Sequence, residues 1–254
     1  MIQPWHWPLL FGTGLVAGFV DSVAGGGGLI TLPVLMHLGI NPKLALGTNK
    51  LQATFGSGSA AWHYTRAGTA SLSECKPGFA VTFVGAALGT GLVQLLPRDF
   101  LMHAIPVLLI VVAVYFLLQP DLGVVPAHPR LSRGRFALIF GLGLGFYDGF
   151  FGPGTGTFWA MAFVLGLGFN LVNATGYAKV MNFASNLSSL LFFLPGGNVF
   201  FAAGLTMGLG QLLGARIGSR MVVARGAKFI RPIFISMVLA ITAKLLYDIY
   251  VKPA

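Results

Sequence analysis

Charged side chains are scarce in this chain. Only 9% of its residues are Asp, Glu, Lys or Arg, whereas about a quarter of an average soluble domain is charged. Apolar residues make up 56% of the sequence, and the mean hydropathy is +0.82. With so few charges the chain could not cover a globule with solvated groups. The composition therefore excludes an ordinary soluble domain and indicates an integral membrane protein.

Cysteine and acidic residues are few as well. Cys75 is the only cysteine, which excludes an intrachain disulfide and a cysteine-based metal cluster. The five histidines are scattered without ligand spacing, and six acidic residues are too few to predict a dedicated cage for Na⁺ or a divalent cation. We expect no metal site and no cofactor. No lysine or arginine precedes Lys43, so we expect no cleavable signal peptide.

Catalytic and nucleotide-binding motifs are also missing. No Ser-His-Asp arrangement or Gly-x-Ser-x-Gly elbow is recognisable, and the glycines at 141–145 lack the strand–helix context of a dinucleotide loop. We therefore expect no enzyme activity. The net charge of +10 could indicate nucleic acid binding, but the basic residues lie at segment ends and in short loops, as the positive-inside rule requires. The expected surroundings are a lipid bilayer, not nucleic acid.

The sequence consists largely of apolar stretches. Those of roughly membrane-spanning length lie at 44–64, 78–97, 100–118, 135–150, 171–195, 199–219 and 229–251. Shorter ones lie at 8–23, 28–38 and 155–168. We predict an all-α, polytopic membrane protein with about eight to ten membrane segments.

Two patterns recur half a chain apart. The first comprises Gly18-Phe19-Val20-Asp21, Gly25 and Gly27, and recurs 127 positions later as Gly145-Phe146-Tyr147-Asp148, Gly152 and Gly154. The second comprises Asn41, Ala45, Gly47 and Lys50, and recurs 129 positions later as Asn170, Ala174, Gly176 and Lys179. Because these residues recur in the same order, we predict two repeats of four to five helical segments each, residues 1–118 and 135–254. A proline-rich, basic linker at 119–134 joins them.

Loop charges predict that the repeats are inverted. Loop 66–76 carries a net charge of +1 and turn 97–99 carries none; at the equivalent places of the second half, the turn around 195–197 carries none and 216–231 carries +5. Because basic loops face the cytoplasm, this exchange indicates opposite orientations, with both termini outside. Each repeat then crosses an odd number of times. Either all five segments cross, or the first two form a re-entrant hairpin and three cross.

Each half contains a run of glycines that interrupts an apolar segment. Residues 24–28 hold four consecutive glycines, and residues 152–156 combine three glycines with Pro153. Neither run can continue a stable helix. A broken helix within a bilayer is tolerated where it faces protein or a wet cavity, and a restarting helix presents free N–H groups suited to an anion. The alternative is that the small residues only allow close helix packing.

A lysine and an aspartate lie inside the apolar segments of each half. A charge at the bilayer centre costs about 2.5–3.5 kcal/mol, so Lys50 and Lys179 at equivalent positions indicate a function. The alternative is a structural ion pair, Lys50 with Asp21 or Lys179 with Asp148, that holds helices together. Both interpretations can hold, because a pair that opens and closes can couple transport to protons. Asp21 and Asp148 are therefore predicted as proton carriers or lysine partners.

Residues 18–33 (GFVDSVAGGGGLITLP), followed by residues 47–52 (GTNKLQ), resemble the sulfite exporter TauE/SafE family of bacterial membrane permeases. The similarity covers essentially the whole chain. The second half matches less closely, since Tyr177 and Ala178 stand where Thr48 and Asn49 would. The resemblance implies a secondary exporter of small sulfur-containing or organic anions in the bacterial inner membrane.

Together these patterns predict a proton-coupled anion exporter with one central site. We expect the anion to be bound by Gly25, Gly26, Gly27, Gly28, Asn49, Lys50, Gln52, Gly152, Gly154, Thr155, Gly156, Lys179, Asn182 and Asn186. Asp21 and Asp148 would carry the coupling protons. A passive anion channel and a membrane-embedded enzyme are the alternative functions. The identity of the anion, the direction of flux and a homodimeric state stay open.

Overall fold

The computed structural model describes residues 3–117 and 129–226, together with 228, 229, 232 and 233. In these residues the chain forms α-helices and no β-strand. The first half contains α1 (His6–Ala24), α2 (Gly28–His37), α3 (Pro42–Arg66), α4 (Leu72–Leu95) and α5 (Arg98–Leu117). The second half contains α6 (Arg133–Phe150), α7 (Thr155–Leu167), α8 (Leu171–Phe193) and α9 (Phe201–Arg225).

The helices confirm the predicted all-α class, and their order follows the predicted segments. The first nine apolar stretches each correspond to one helix. The tenth stretch, 229–251, and the linker residues 119–128 lie outside the described residues, apart from 229, 232 and 233.

The recurring asparagines begin equivalent helices. Asn41 precedes α3, and its side chain accepts a hydrogen bond from the backbone N–H of Leu44 at 2.9 Å. Asn170 precedes α8 and accepts one from Asn173 at 2.9 Å. An N-cap side chain of this kind satisfies one of the helix's unpaired first-turn donors. Capping thus explains why this residue type occurs at both positions.

Glycine conformation explains both helix breaks. After α1, Gly25 and Gly26 have φ of 84° and 89°, which residues with a Cβ rarely adopt. After α6, Gly152 and Gly154 have φ of 99° and 84°. The predicted interruptions are therefore present, and a new short helix begins after each of them.

The helices that follow the breaks are too short to cross a bilayer. α2 has 10 residues and α7 has 13, which correspond to about 15 and 20 Å of helix. The hydrocarbon layer is about 30 Å thick. Of the two arrangements left open by the sequence, the geometry therefore favours a hairpin of the first two segments in each half.

Small residues hold α1 against α9. A Cβ added at Gly14 would overlap the carbonyl oxygen of Met207, and one added at Gly18 would overlap that of Gln211. Gly218 lies beside Ser22, so the two helices run parallel. The glycine spacing at 210, 214 and 218 therefore serves close packing, as in other membrane helices.

The equivalent pair, α4 and α6, packs in the same way. A Cβ at Gly145 would lie 2.5 Å from the carbonyl oxygen of Thr82, and one at Gly85 would lie 2.7 Å from that of Leu142. Gly89 faces Phe146 and Phe150, so this pair is also parallel. Each half thus inserts its first helix beside the fourth helix of the other half.

The third helix of each half lies next to its counterpart and runs in the opposite direction. Gly47, near the start of α3, lies beside Phe193 at the end of α8. Gly58 faces Phe183, and Tyr64, near the end of α3, lies beside Gly176 at the start of α8. α3 and α8 are therefore antiparallel at the centre of the molecule.

Large apolar side chains face outward, whereas the two lysines within the apolar segments are buried. Leu95 is 82% exposed, whereas Lys50 and Lys179 are each 1% exposed. Among the described residues, α1 and α4 are long and apolar enough to qualify as membrane spans by length and composition. α3, α8 and α9 have 25, 23 and 25 residues, but the polar side chains that they bury lower their hydropathy.

Candidate functional site

A buried ion pair joins α3 to α6. The ammonium group of Lys50 donates hydrogen bonds to Oδ1 of Asp148 at 2.6 Å and to the carbonyl oxygen of the same residue. The hydroxyl of Ser185 on α8 donates to Oδ2 of Asp148. The side chains of Lys50 and Asp148 are 1% and 4% exposed. Every oxygen of the carboxylate therefore has a partner.

A second ion pair joins α8 to α1. The ammonium group of Lys179 donates to Oδ2 of Asp21 at 3.1 Å, and the backbone N–H of Gly27 donates to Oδ1 at 3.2 Å. The Asp21 side chain is 18% exposed, so water reaches it more readily than Asp148.

Both pairs connect the two halves. The alternative interpretation of the sequence, a structural pair of Lys50 with Asp21 or of Lys179 with Asp148 within one half, is therefore wrong in its partners. In the fold, Lys50 instead reaches Asp148, 98 positions away, and Lys179 reaches Asp21, 158 positions away. The physical reason is the exchange of first helices: α1 and α6 each lie against the opposite half. The spacing of residues along the sequence does not reveal that each of these helices packs against the opposite half.

The two glycine breaks touch each other between the ion pairs. A Cβ at Gly25 would collide with the backbone nitrogen of Thr157, and one at Gly28 would lie 3.3 Å from Pro153. The hydroxyl of Thr157 donates to the carbonyl oxygen of Ala24 at 2.7 Å, which satisfies an end carbonyl of α1. Gly156 lies beside Lys179 and Asn182, because a Cβ there would be 2.8 Å from Nζ and from Nδ2.

A small polar cavity lies at this junction. About 30 Å³ of it is open to the centres of water molecules, and one water needs roughly 10–15 Å³. Twelve predicted site residues line it: Asp21, Gly26, Gly27, Gly28, Asn49, Asp148, Gly152, Gly154, Thr155, Gly156, Asn182 and Asn186. The fold thus brings most of the predicted site together around one cavity.

The remaining predicted residues lie beside the cavity. Lys50 and Lys179 are covered by their aspartates, and Gly25 packs against Thr157. Gln52 donates to Oδ1 of Asn49 at 2.7 Å and so orients a lining residue. The hydroxyl of Thr31 also donates to that oxygen, at 2.6 Å. The amide of Asn49 is consequently held in place at the cavity wall.

The restarted helices offer few free donors. In the first turn of α2, the N–H groups of Leu29 and Ile30 donate to the carbonyls of Gly26 and Gly27. In α7, those of Thr155 and Thr157 donate to the carbonyls of Gly152 and Gly154. The backbone contribution to anion binding is therefore smaller than two open helix ends would supply, and the lysines carry more of the charge.

Sequence reasoning missed Gln211 and Ala53, which also line the cavity. Gln211 lies in the run of glycines on α9 that indicates helix packing. In the sequence, Gln211 could have been noticed as an amide among the small residues of that helix face. Ser185, the partner of Asp148, lies about one turn beyond Asn182 on α8. The row of polar residues on that helix could have indicated it.

Metal binding has no support in the described part of the chain. No group of three or more His, Cys, Asp or Glu residues is placed to hold an ion there. Among the described residues, the charged groups that line the cavity are the two carboxylates, each held by a lysine. Such a site favours the binding of an anion if a carboxylate is displaced or protonated, because a free ammonium group would then remain in a desolvated place.

Comparison with known sequences agrees with this geometry. The sequence model of the family described as "Sulfite exporter TauE/SafE" matches residues 10–245, which include both ion pairs and both glycine breaks. The chain belongs to the TauE/SafE family. The resemblance, which was expected to cover essentially the whole chain, is thereby confirmed. Membership of this family supports a polytopic membrane protein.

Several bacterial members of the TauE/SafE family are similar to the chain over almost their full lengths. The Escherichia coli (strain K12) protein named "Probable membrane transporter protein YfcA" is 49% identical over 98% of this chain and 92% of its own. The protein named "Probable membrane transporter protein ORF9" from Sinorhizobium sp is 46% identical, covering 94% of this chain and 92% of its own. A Haemophilus influenzae relative named "Probable membrane transporter protein" is 45% identical, covering 94% of both chains. No solved structure matches the chain.

Proposed function

We propose that the chain is a secondary transporter that exports a small anion across the bacterial inner membrane. Sulfite, sulfonates and related sulfur-containing or organic anions are the proposed substrates, in line with the family's name. The observation that carries the proposal is the polar cavity between two cross-half lysine–aspartate pairs. Ionisable groups inside a membrane protein usually mark a substrate or proton pathway.

The two halves are proposed to be inverted repeats, residues 1–118 and 135–254, joined by the linker 119–134. The antiparallel contact of the equivalent helices α3 and α8 supports this arrangement. So does the reciprocal packing of α1 with α9 and of α6 with α4. Inverted repeats place a substrate site at their interface near the bilayer midplane. The loop charges orient the molecule with both termini outside the cytoplasm.

Alternating access would arise as one half rocks against the other around the glycine breaks. In the described conformation each lysine is neutralised by an aspartate, and the cavity has space for about two waters. An anion would therefore bind only after the cavity widens and an aspartate leaves its lysine. Protonation of that aspartate would remove the competing charge. This competition provides the proposed coupling between anion and proton.

Flux measurements on the purified protein in proteoliposomes test the proposal. Sulfite, thiosulfate, sulfoacetate and small carboxylates would be offered one at a time, with and without a proton gradient. A transporter gives saturable flux of at least one anion and a response to the gradient. A passive channel, the alternative, gives flux that does not saturate and ignores the gradient. No flux above that of protein-free vesicles for any of these anions would contradict the proposal.

A further inference from the structure

The two aspartates of the site are held differently. Asp148 accepts from Lys50 and from Ser185, and its side chain is 4% exposed. Asp21 accepts from Lys179 at 3.1 Å and from the N–H of Gly27 at 3.2 Å, and its side chain is 18% exposed. One carboxylate is thus enclosed and fully bonded, whereas the other is wetter and more weakly held.

A residue exchange between the repeats explains this difference. The position equivalent to Ser185, 129 residues earlier, is Gly56, which has no side chain to donate to Asp21. The space is filled by Gln211, because a Cβ at Gly56 would overlap its Oε1 atom. The equivalent of Gln211, 129 residues earlier, is Thr82, because the equivalent glycines Gly18 and Gly145 face Gln211 and Thr82. One half therefore combines a serine with a threonine, and the other combines a glycine with a glutamine.

Gln211 is a buried amide whose oxygen is unpaired among the described residues. The residue is 2% exposed and lines the cavity. Oδ1 of Asn182, another lining residue, is unpartnered among the same residues. Leaving a buried polar group unpaired is unfavourable. Both atoms are acceptors, so they suit water or the O–H of a protonated carboxyl group, whereas the NH₂ groups of the same amides can donate to an anion.

We propose that the Asp21 side of the cavity is the subsite at which anion and proton are exchanged, and that Lys50, Asp148 and Ser185 form a fixed lock. This inference rests on the proposed transport function and assigns its steps. Asp21 takes up a proton and releases Lys179, and the anion then binds Lys179 together with the amide NH₂ groups of Gln211 and Asn182. A monovalent anion and one proton leave the net charge of the subsite unchanged.

The direction of coupling follows from this assignment. Because the anion binds when Asp21 is protonated, both cross the membrane together, in the same direction. Export then proceeds when the outward gradient of the anion exceeds the inward gradient of protons. The other titratable groups near Asp21 are Lys179 on α8, Tyr64 on α3, whose hydroxyl donates to the carbonyl oxygen of Ser22, and Asp148 on α6 across the cavity. α9 presents the uncharged Gln211. The proton of the cycle is therefore assigned to Asp21 and not to Asp148.

The test uses full-length protein in proteoliposomes, with methanesulfonate and sulfite as probes. Methanesulfonate keeps one negative charge at every pH used, so any pH effect on its flux belongs to the protein. We expect a vesicle interior more alkaline than the medium to raise wild-type uptake at least tenfold over uptake without a gradient. The Asp21→Asn variant should still carry the anion across the membrane, but its flux should not respond to the pH gradient. Asp148→Asn, where it folds, should keep the response at a lower rate.

A double variant, Gly56→Ser with Gln211→Thr, copies the serine and threonine of the other half onto the Asp21 side. It should fold but lose at least nine-tenths of the flux, because Asp21 would stay bonded to Lys179. Gln211→Ala alone should raise KM several-fold while retaining the gradient response, and it serves as the test if the double variant does not fold.

The outcomes separate this inference from the proposed function. Wild-type flux with a normal gradient response in Asp21→Asn would overturn the assignment of Asp21 and leave the transporter standing. If an acidic vesicle interior drove uptake, the anion and the proton would be moving in opposite directions, and the proposed coupling would be overturned. An unchanged KM in Gln211→Ala would remove Gln211 from the subsite. If neither probe crosses in the wild type, the proposed function fails for both anions, and this inference fails with it.

Discussion

The ammonium nitrogen of Lys50 lies 2.6 Å from Oδ1 of Asp148, on the opposite half of the chain. Its counterpart, Lys179 with Asp21, joins the halves a second time. Any relative motion of the halves must therefore either preserve these contacts or exchange them for others. Both ion pairs thus tie the repeats together, and in our proposal the pair of Lys179 with Asp21 also forms the subsite that binds the anion.

Removing one member of the buried pair should destabilise the protein strongly. Lys50→Ala leaves the Asp148 carboxylate without its charge partner, a change that costs about 3–5 kcal/mol in buried pairs. The double variant Lys50→Ala, Asp148→Ala should recover part of this loss because no unpaired charge remains. Thermal unfolding of the detergent-purified protein measures both. Lys76→Ala, at an exposed position, is the control and should leave the midpoint unchanged.

Two neighbouring glycines of α6 should respond in opposite ways to alanine. A Cβ at Gly145 would lie 2.5 Å from the carbonyl oxygen of Thr82, so α4 and α6 would have to move apart. Overpacking of this kind costs about 1–3 kcal/mol. Gly143 has nothing within 4 Å of the added Cβ, and alanine there should be neutral or stabilise by up to about 1 kcal/mol. Equal melting points for Gly145→Ala and Gly143→Ala would contradict the packing described for α4 and α6.

The fold was largely predictable because its signals are local. The lengths of the apolar stretches predicted the helices, and the glycine runs predicted the breaks between them. Asn41 and Asn170 recur because each caps a helix start. The partners of Lys50 and Lys179 were not predictable in this way. They depend on where α1 and α6 pack, which is a long-range property that a single sequence does not display.

Gly156→Ala should impair both transport and stability. Its Cβ would lie 2.8 Å from Nζ of Lys179 and from Nδ2 of Asn182, which are flexible side-chain ends, and 2.9 Å from the backbone Cα of Gly25, which is not. We expect KM for the transported anion to rise at least fivefold, and the melting temperature to fall because the two glycine breaks must move apart. Gly12→Ala, where nothing lies within 4 Å, should match the wild type in both respects. A wild-type KM in Gly156→Ala would place Lys179 outside the binding site.

Labelling of introduced cysteines should report opposite orientations of the halves. In a Cys75→Ser background, Ala67→Cys follows α3 and Pro195→Cys follows α8, and both positions are exposed. Because these loops are equivalent in the two repeats, a membrane-impermeant thiol reagent should label Ala67→Cys from the cytoplasmic side and Pro195→Cys from the outside. Labelling of both from one side would indicate parallel repeats and would contradict the proposed topology.

Most residues of the candidate site could be predicted from the sequence, but the different roles of its two aspartates could not. Recurrence of Asp, Gly and Lys indicated which residues converge, and most of them line the cavity. The difference between Asp21 and Asp148 depends on Ser185 and Gln211, which occupy corresponding space from different helices. Substitutions that compensate each other across helices leave no pattern in a single sequence, so only the packed helices reveal them.

The most direct measurement of the central claim is anion flux through Lys179→Ala in proteoliposomes, with elution and melting behaviour confirming that the variant is folded. If the lysine–aspartate pairs form the transport site, flux should fall to the level of protein-free vesicles, because the anion loses its main cationic ligand. Flux equal to that of the wild type would contradict the account and remove this lysine from the mechanism.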